Sequence, residues 1–386
     1  MGKNHSVIII ANSFQQDYIY DLVTGLSRFT KVILIGSDEH EKFDFGANVI
    51  LKNYRGSHDE EVPFHKKAFR ILRYYFRLFF FLILSRSATV HIQWMRFYMI
   101  DGVFLTLLAR FTGKKVFYTV HDVLPHDEDT ALNRFLFKII YRLQHVLIVH
   151  TDFIRLRVIN EFGIPEHKIH IVKHGVYNVK DTDLVSFETA RDKLEMNPDD
   201  FVILFFGRLA KYKGLEMLIK IFNRIRKLYT NARLIVAGKL ANDYKEDFEK
   251  LLKEYDLNKI SFHIRYIEDK EMGLFFTSAN ITVLPYKEAS QSGVLFMSYA
   301  HGVPVIAPEL GGFPHDIVPE RTGLLFKPED EESFENTLKK AIEIFSKRDS
   351  DKRDFIKEFA QSNYSWEMSC KSLFELYTKS KKDEKL

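Results

Sequence analysis

Short hydrophobic runs alternate with amphipathic segments along the first half of the chain. This alternation predicts the strands of a parallel sheet separated by helices. The predicted strands are Val7–Ala11, Lys31–Gly36, Val49–Leu51, Thr89–Trp94, Lys115–Val120, Val146–His150 and Ile169–Val172. The segment from Asn178 to Asp200 is polar and charged, so we predict a domain boundary near Asn178–Val185.

The alternation restarts at Phe201–Phe206, an entirely apolar run of the kind that parallel sheets bury on both faces. Further predicted strands follow at Ala232–Ala237, Ile260–Ile264, Asn280–Leu284 and Val303–Ala307. The pattern therefore predicts two α/β domains in tandem, at residues 1–178 and 179–360. Residues 361–386 are expected to form a helix that packs back on the first domain, followed by a charged tail.

The segment Lys66–Leu84 has an unusual pattern for a helix of a globular protein. Lys66, Arg70, Arg73 and Arg77 fall on one helical face, aromatic and aliphatic residues cover the rest, and no acidic residue occurs between His65 and Arg86. A helix lying in the interface of an anionic membrane would have this composition. A core helix whose arginines reach the solvent is the alternative. The uninterrupted apolar run Leu78–Leu84 is too short to span a bilayer.

Composition narrows the possible classes of protein. The chain has 386 residues, a formal net charge of +4 and 46% hydrophobic residues, which suits two folded domains and does not indicate nucleic-acid binding. The single cysteine, Cys370, excludes an internal disulfide and any multi-cysteine metal site. We therefore expect a cytoplasmic location, and the first apolar run is too short for a signal peptide.

Two segments of the second half contain candidate ligand-binding residues, each at a predicted strand-to-helix turn. Arg208 and Lys213 flank the helix that follows Gly207–Gly214, where two cations beside a helix N-terminus would bind a diphosphate. Solvated surface cations are the alternative. In the stretch Leu284–Gly312, the loop before the helix at Val294 offers backbone N–H groups, and Glu288 at its mouth would accept hydrogen bonds from sugar hydroxyls. An ordinary αβ unit with a solvated glutamate is the alternative.

The loop 121–127 follows a strand of the first half and contains two histidines and two aspartates. His121 and His126 would allow a metal site, although no carboxylate motif defines its geometry. A histidine donating to a substrate hydroxyl or phosphate is a second interpretation. A His–Asp pair that caps the loop is the third.

Together these segments resemble a known family. The runs GRLAKYKGLEMLI, VAGK, LPYKEASQSGVLFMSYAHGVPVIAPELGG, RTGLLF and YSWE, with TVHD and EFGIPEHKIHIVKHGV in the first half, are similar to retaining glycosyltransferases of the GT-B fold, family 4. The resemblance covers most of residues 115–370. It implies two facing Rossmann-like domains with a nucleotide sugar in the cleft between them, the donor on the C-terminal domain and the acceptor on the N-terminal one.

The resemblance also implies roles for individual residues. His121, Arg208, Lys213 and Glu288 are expected to act at the reacting centre. Donor-binding positions implied by the resemblance are Gly207, Arg208, Lys213, Gly238, Tyr266, Ile267, Glu288, Ser292, Gly293 and Val294. The donor is expected to be UDP- or GDP-linked, with no metal ion and no other cofactor, and the acceptor to be a glycan or a polyprenyl- or lipid-linked sugar. Peripheral contact with the inner face of the membrane through Lys66–Leu84 would suit such an acceptor.

The sequence departs from the family pattern at one important point. The second glutamate of the Glu-x7-Glu signature, which usually contacts the ribose, falls on Met297, and Ser298 beside it carries no carboxylate either. Two other functions stay open at this stage: an inverting transferase that uses Asp122 or Asp127 as general base, and a non-catalytic homologue that docks on a membrane. A dinucleotide-dependent dehydrogenase is disfavoured, because no Gly-x-Gly-x-x-Gly follows the first strand.

Overall fold

The structure, a computed structural model, describes residues 6–12, 15–57, 62–124, 129–179, 185–289, 291–347 and 349–379. These residues pack into two compact units. Unit 1 is drawn from Met1–Gly175 together with Tyr364–Leu386, and unit 2 from Val176–Asn363.

The secondary-structure elements alternate strand and helix through both units. The strands are β1 (Ser6–Ile10), β2 (Lys31–Gly36), β3 (Val49–Asn53), β4 (Thr89–Ile92), β5 (Lys115–Thr119), β6 (Val146–Val149), β7 (Ile169–Ile171), β8 (Phe201–Phe206), β9 (Ala232–Ala237), β10 (Ile260–His263), β11 (Ile281–Val283), β12 (Val305–Pro308) and β13 (Gly323–Phe326). The α-helices are α1 (Gln16–Ser27), α2 (Phe64–Leu84), α3 (Leu105–Phe111), α4 (Ala131–Leu143), α5 (Asp152–Phe162), α6 (Phe187–Lys193), α7 (Leu215–Leu228), α8 (Lys245–Glu254), α9 (Asp269–Ser278), α10 (Gly293–Ala300), α11 (Phe313–Asp316), α12 (Glu331–Phe345), α13 (Ser350–Tyr364) and α14 (Trp366–Thr378).

Each unit is built on one parallel sheet. The strand order is β3-β2-β1-β4-β5-β6-β7 in unit 1 and β10-β9-β8-β11-β12-β13 in unit 2. In both sheets the order reverses direction beside the first strand of the unit, between β1 and β4 and between β8 and β11. Ligands of open α/β sheets bind at the carboxyl ends of the strands at such a reversal. The prediction of two Rossmann-like α/β units is therefore confirmed.

Alternate residues of the central strands enter two different cores. Ile8 and Ile10 of β1 pack on one face of the first sheet, whereas Val7 and Ile9 pack on the other. Strand β8 likewise sends Phe201, Ile203 and Phe205 into one core and Val202, Leu204 and Phe206 into the other. Burial on both faces explains why these strands are continuous apolar runs rather than alternating ones.

The last helix of the chain packs in unit 1. Ser365 caps α14 by accepting a hydrogen bond from the Met368 backbone N–H at 3.4 Å. The Trp366 ring occupies the space beside Gly175, where a Cβ would lie 2.2 Å from the indole. Cys370 packs against Gly25 of α1, and burial raises the pKa of its thiol. The cysteine is therefore a core residue.

A π-helix precedes α3 in unit 1. It spans Tyr98–Phe104 and leads directly into the α-helix at Leu105. The buried Asp101 carboxylate accepts hydrogen bonds from the backbone N–H groups of Arg96 and Phe97, at 2.6 and 3.0 Å. A buried polar contact of this kind has no periodic signature, so the apolar pattern does not reveal it.

Candidate functional site

The two candidate loops of unit 2 leave neighbouring strands at the reversal of its sheet. The loop 207–214 follows β8 and leads into α7, while the loop 284–292 follows β11 and leads into α10. Because β8 and β11 are paired and parallel, both loops emerge from the same edge of the sheet. Each of them ends at a helix N-terminus, where backbone N–H groups have no partner within the helix.

The backbones of these two loops are in direct contact. Gly214 has a left-handed φ of 70°, and a Cβ placed there would lie 1.9 Å from the carbonyl oxygen of Pro285. The Lys287 backbone N–H donates to the carbonyl oxygen of Tyr212 at 2.8 Å. A glycine at position 214 is therefore required by both conformation and space.

A short series of contacts connects Lys213 to the start of α10. The Lys213 Nζ lies 3.7 Å from the centre of the Tyr286 ring. The Tyr286 hydroxyl hydrogen-bonds the Ser292 hydroxyl at 3.1 Å, and Ser292 directly precedes Gly293, the first residue of α10. Both Tyr286 and Ser292 are buried, so the contacts are held within the protein. The ammonium group and the helix N-terminus are the two features that bind phosphate in many proteins.

Glycines beside these loops lie close to backbone and side-chain atoms of other segments. A Cβ at Gly238 would lie 1.7 Å from the carbonyl oxygen of Gly207, and a Cβ at Gly207 would lie 3.4 Å from Cγ2 of Val294. At Gly293 a Cβ would lie 3.0 Å from the Tyr177 hydroxyl. Three of the predicted donor-binding positions, Gly207, Gly238 and Gly293, therefore lie next to other parts of the chain, and Val294 is the neighbour of one of them.

Other predicted site residues do not take part in the contacts between these loops. The Arg208 side chain is exposed and lies 4.0 Å from Asp243. Glu288 is exposed in the loop before α10. Tyr266 is also exposed, whereas Ile267 is buried in the core beside Phe206 and offers only its backbone to a ligand.

Neither residue at the position of the missing carboxylate is exposed. Met297 packs against the apolar core of this face of the sheet. The Ser298 hydroxyl is buried and hydrogen-bonds the Thr282 hydroxyl. The correspondence between Met297 and the family's second glutamate stays a prediction.

Unit 1 carries histidines at the same edge of its own sheet. His91 lies in β4, while His121, His150 and His174 follow β5, β6 and β7. The rings of His121 and His150 are 5.3 Å apart and those of His150 and His174 are 5.5 Å apart. The buried Tyr18 of α1 contacts three of the four, with ring distances of 5.2 Å to His121, 6.4 Å to His150 and 5.0 Å to His174. We call His91, His121, His150 and His174 the histidine cluster.

His121 is held by an aromatic stack. Its ring lies parallel to that of Trp94, with an interplanar angle of 3° and centroids 4.1 Å apart. Its Nε2 atom is enclosed and has no hydrogen-bond partner within the described part of the chain. Trp94 therefore fixes the plane of the imidazole, and one ring nitrogen is enclosed without a hydrogen-bond partner among the described residues.

Burial keeps the histidine cluster neutral. It lowers the pKa of His91 and of His174 to about 3 and that of His150 to about 4. Burial lowers the pKa of His121 well below its ordinary value, and the neighbouring His150 and His174 act in the same direction. His150 Nδ1 hydrogen-bonds the carbonyl oxygen of Val172 at 2.7 Å. This bond raises the pKa of His150, but burial outweighs it.

The structure describes only part of the loop 121–127, so only some of the interpretations of this loop can be examined. Asp122 is half-buried, whereas His126 and Asp127 lie outside the described residues. Within the described ranges no group of three or more His, Cys, Asp or Glu side chains is arranged to hold a metal ion. The expectation of a metal-free site stays a prediction.

Several residues of these sites have no distinctive signal in the sequence. Tyr286 follows Pro285 at the end of an apolar strand, where an aromatic residue indicates core packing. Trp94 and His150 lie at strand ends, and their only signal is that position. The spacing of the strands reveals which residues share an edge of the sheet, but it does not reveal ring stacking.

Two family models match the chain. Residues 15–177 match Glycosyltransferase Family 4, and residues 186–360 match Glycosyl transferases group 1. The D-inositol 3-phosphate glycosyltransferase of Pseudarthrobacter chlorophenolicus is 27% identical over 181 residues, which is 46% of this chain and 43% of that protein. The chain spans about half the length of the curated relatives it matches.

Solved structures with the same architecture cover nearly the whole chain. Sucrose-phosphate synthase from Thermosynechococcus elongatus superposes with a TM-score of 0.75 at 16% identity, covering 97% of this chain and 98% of that one. Anabaena HepE in complex with UDP-glucose superposes with a TM-score of 0.73 at 14% identity, covering 96% and 98%. With the two parallel sheets, these superpositions identify the fold class as GT-B.

Proposed function

We propose that this chain, which is built of a Glycosyltransferase Family 4 domain followed by a Glycosyl transferases group 1 domain, is a hexosyltransferase. It moves a sugar from a nucleotide-diphosphate sugar to a glycan or lipid-linked acceptor. The observation that carries the proposal is the connection of the Lys213 ammonium, through the Tyr286 ring and hydroxyl, to Ser292 at the start of α10.

The proposed chemistry explains why these groups are needed. When the bond between the sugar and the diphosphate breaks, the leaving group gains negative charge. Lys213 and the N–H groups of α10 stabilise that charge most strongly in the transition state, which is where stabilisation accelerates a reaction. Arg208 is exposed and can turn toward a bound diphosphate, and Glu288 is available to accept from sugar hydroxyls.

The donor is proposed to be UDP- or GDP-linked. Anabaena HepE has been solved with UDP-glucose, which supports a nucleotide sugar as ligand of this fold. We propose retention of the anomeric configuration with no protein nucleophile, and a place in cell-surface polysaccharide or glycolipid synthesis on the cytoplasmic side of a membrane. An inverting reaction with Asp122 as base is distinguished by the anomeric configuration of the product.

A thermal-shift screen of nucleotide sugars tests the proposed donor site. A matched donor stabilises the native state by mass action, by about 3 kcal/mol at one hundred times its Kd. The variant Lys213→Ala should lose most of this shift, and its turnover should fall about 10²- to 10³-fold. Lys211→Ala is the matched control, because Lys211 lies in the same turn but is exposed and paired with Asp247 at 3.7 Å.

Two results would contradict the proposal. A wild-type chain that no nucleoside diphosphate or nucleotide sugar stabilises would favour the non-catalytic alternative. Near-wild-type turnover in Lys213→Ala would show that the leaving group is stabilised elsewhere.

A further inference from the structure

Helix α2 exposes an apolar stripe to the solvent. Its buried side consists of Tyr74, Leu78 and Leu82, which enter the core of unit 1. On the opposite side, large apolar residues recur three or four positions apart and are exposed, with Leu72 at 70% and Phe76 at 63% of full exposure. The exposed stripe consists of Phe69, Leu72, Phe76, Phe80 and Ile83. Both long sides of this helix are therefore apolar.

A row of cations runs along one flank of the exposed stripe. Lys66, Arg70, Arg73 and Arg77 also recur three or four positions apart, between the stripe and the body of the unit. Lys66 and Arg73 are exposed, while Arg77 lies over the Tyr54 ring at 5.8 Å. No acidic residue occurs from His65 to Arg86, so the helix itself brings no negative charge to this flank.

The apolar surface continues beyond α2. Phe79 stacks on Phe104, with centroids 6.3 Å apart and an angle of 10°, which joins α2 to the π-helix Tyr98–Phe104. Phe97, Met99 and Phe104 of that region are themselves exposed. The neighbouring Asp101 is buried and hydrogen-bonded, so it adds no negative charge to the surface. We call the exposed stripe of α2 together with Phe97, Met99 and Phe104 the apolar face.

We propose that the apolar face docks this chain on the surface of an anionic lipid bilayer, with α2 lying in the plane of the headgroups. The aromatic and aliphatic side chains would enter the boundary between headgroups and acyl chains, and the cation row would meet lipid phosphates. Among the helices in the described residues, none combines the length and apolarity needed to cross a bilayer. The contact is therefore proposed to be peripheral.

The charge pattern favours a lipid surface over a protein partner. Large exposed apolar patches of monomeric proteins mark interaction sites, but apolarity alone does not identify the occupant. A one-sided row of cations beside a broad aromatic face matches a surface that is uniformly anionic and apolar beneath. Because Tyr74, Leu78 and Leu82 already hold the helix on unit 1, no folding is needed on binding.

Sedimentation with vesicles tests the proposal on the full chain without any donor, so the result does not depend on the glycosyl transfer proposed above. Vesicles of equal parts phosphatidylcholine and phosphatidylglycerol should sediment the wild-type chain, and pure phosphatidylcholine should do so far less. The double variant Leu72→Ser/Phe76→Ser should weaken binding at least ~10-fold. Lys66→Glu/Arg73→Glu should weaken it by a similar factor and reduce its dependence on salt.

Matched controls lie in unit 2. Leu228→Ser removes an apolar side chain that is 65% exposed, and Lys250→Glu reverses an exposed lysine, so both should leave vesicle binding unchanged. Unchanged melting temperatures would establish that the α2 variants remain folded. Three results would overturn the proposal: no wild-type binding to anionic vesicles, equal binding to neutral ones, or a self-associated chain that Leu72→Ser/Phe76→Ser disperses without any vesicle binding.

Discussion

The two units share a sheet topology but place different chemistry at the carboxyl ends of their strands. In unit 2 the strands β8 and β9 are followed by glycines, and the adjoining loops present Lys213 and the N-terminus of α10. In unit 1 the strands β4 to β7 contain or precede the neutral histidine cluster, of which His91, His150 and His174 are buried. One edge thus offers fixed positive charge and backbone N–H groups, and the other offers uncharged rings.

Their outer surfaces differ as well. Among the described residues, the large apolar side chains that are exposed in unit 2 are Leu228 and Tyr266, whereas unit 1 exposes many, concentrated on α2 and the segment after β4. A shared backbone plan therefore leaves both the strand-end chemistry and the outer surface free to differ. The fold class alone predicts neither of them.

The largest expected difference between the two units is in their stability at mildly acidic pH. His91, His150 and His174 have native pKa values of about 3 to 4, below the ordinary value of 6.5. Between these values the unfolded chain takes up protons that the native state does not, so the contribution of these histidines to stability falls as pH decreases from 6.5 toward 4 and does not change above pH 7. At pH 5 each of the three histidines would cost about 2 kcal/mol, or about 6 kcal/mol together as an upper bound.

Tryptophan fluorescence provides a measurement specific to unit 1. The chain has two tryptophans, Trp94 and Trp366, and both belong to unit 1. The melting temperature reported by fluorescence should fall steeply from pH 7 to pH 5, ahead of any loss of the helical circular dichroism contributed by unit 2. A fluorescence transition that does not move over this range would show that the cluster is not held neutral.

Two glycines with the same backbone conformation provide the next comparison. Gly214 of unit 2 and Gly163 of unit 1 have φ values of 70° and 62°, but a Cβ at Gly163 would meet nothing within 4 Å. Gly163→Ala should therefore cost only the conformational strain, about 1 kcal/mol. Gly214→Ala should cost about 3 kcal/mol or more, because the Cβ also meets the carbonyl oxygen of Pro285.

Denaturant titration of the two alanine variants measures this difference. Gly214→Ala should in addition abolish the thermal shift by nucleotide sugars, because the contact it breaks aligns the loop carrying Lys213 with the loop before α10. If both substitutions lower the free energy of unfolding equally, the close approach of the two loops does not contribute to stability.

Much of the fold could be predicted because burial on both sheet faces leaves uninterrupted apolar runs. Strands such as Val7–Ala11 and Phe201–Phe206 are visible for this reason. The π-helix at Tyr98–Phe104 could not be predicted, since the buried Asp101 within it and that residue's bonds to the Arg96 and Phe97 backbone have no periodic signature. Helix α2 was predicted, but which of its apolar sides is exposed follows only from the packing of Tyr74, Leu78 and Leu82.

The loops of the candidate site could be predicted from the sequence. Lys213 was indicated by its position beside a predicted helix start, whereas Gly207 and Gly293 were implied as donor-binding positions by the family resemblance. Tyr286 connects Lys213 to the start of α10. It could not be predicted, because its contacts depend on how two loops separated by about seventy residues meet.

The stack on His121 can be tested by removing its partner. Trp94→Ala should free the imidazole to rotate and lower turnover about five- to tenfold, since an aromatic pair contributes about 1 kcal/mol. Trp94→Phe should restore most of the loss. Stabilisation by the donor should be unchanged in both variants, because the proposed donor residues lie in unit 2. A weakened donor shift, or a Trp94→Ala variant with full turnover, would contradict this positioning role.

The smallest expected effect concerns the Tyr286 hydroxyl. Tyr286→Phe keeps the ring beneath Lys213 and removes only the 3.1 Å hydrogen bond to Ser292, so donor affinity should fall about fivefold, or ~1 kcal/mol. Tyr286→Leu also removes the ring that lies 3.7 Å from the Lys213 Nζ, and a further loss of similar size is expected. Tyr212→Leu is the control, because its ring lies farther from the same atom, at 5.1 Å. If Phe and Leu at position 286 bind the donor equally well, the ring does not position Lys213, and the cation acts independently of α10.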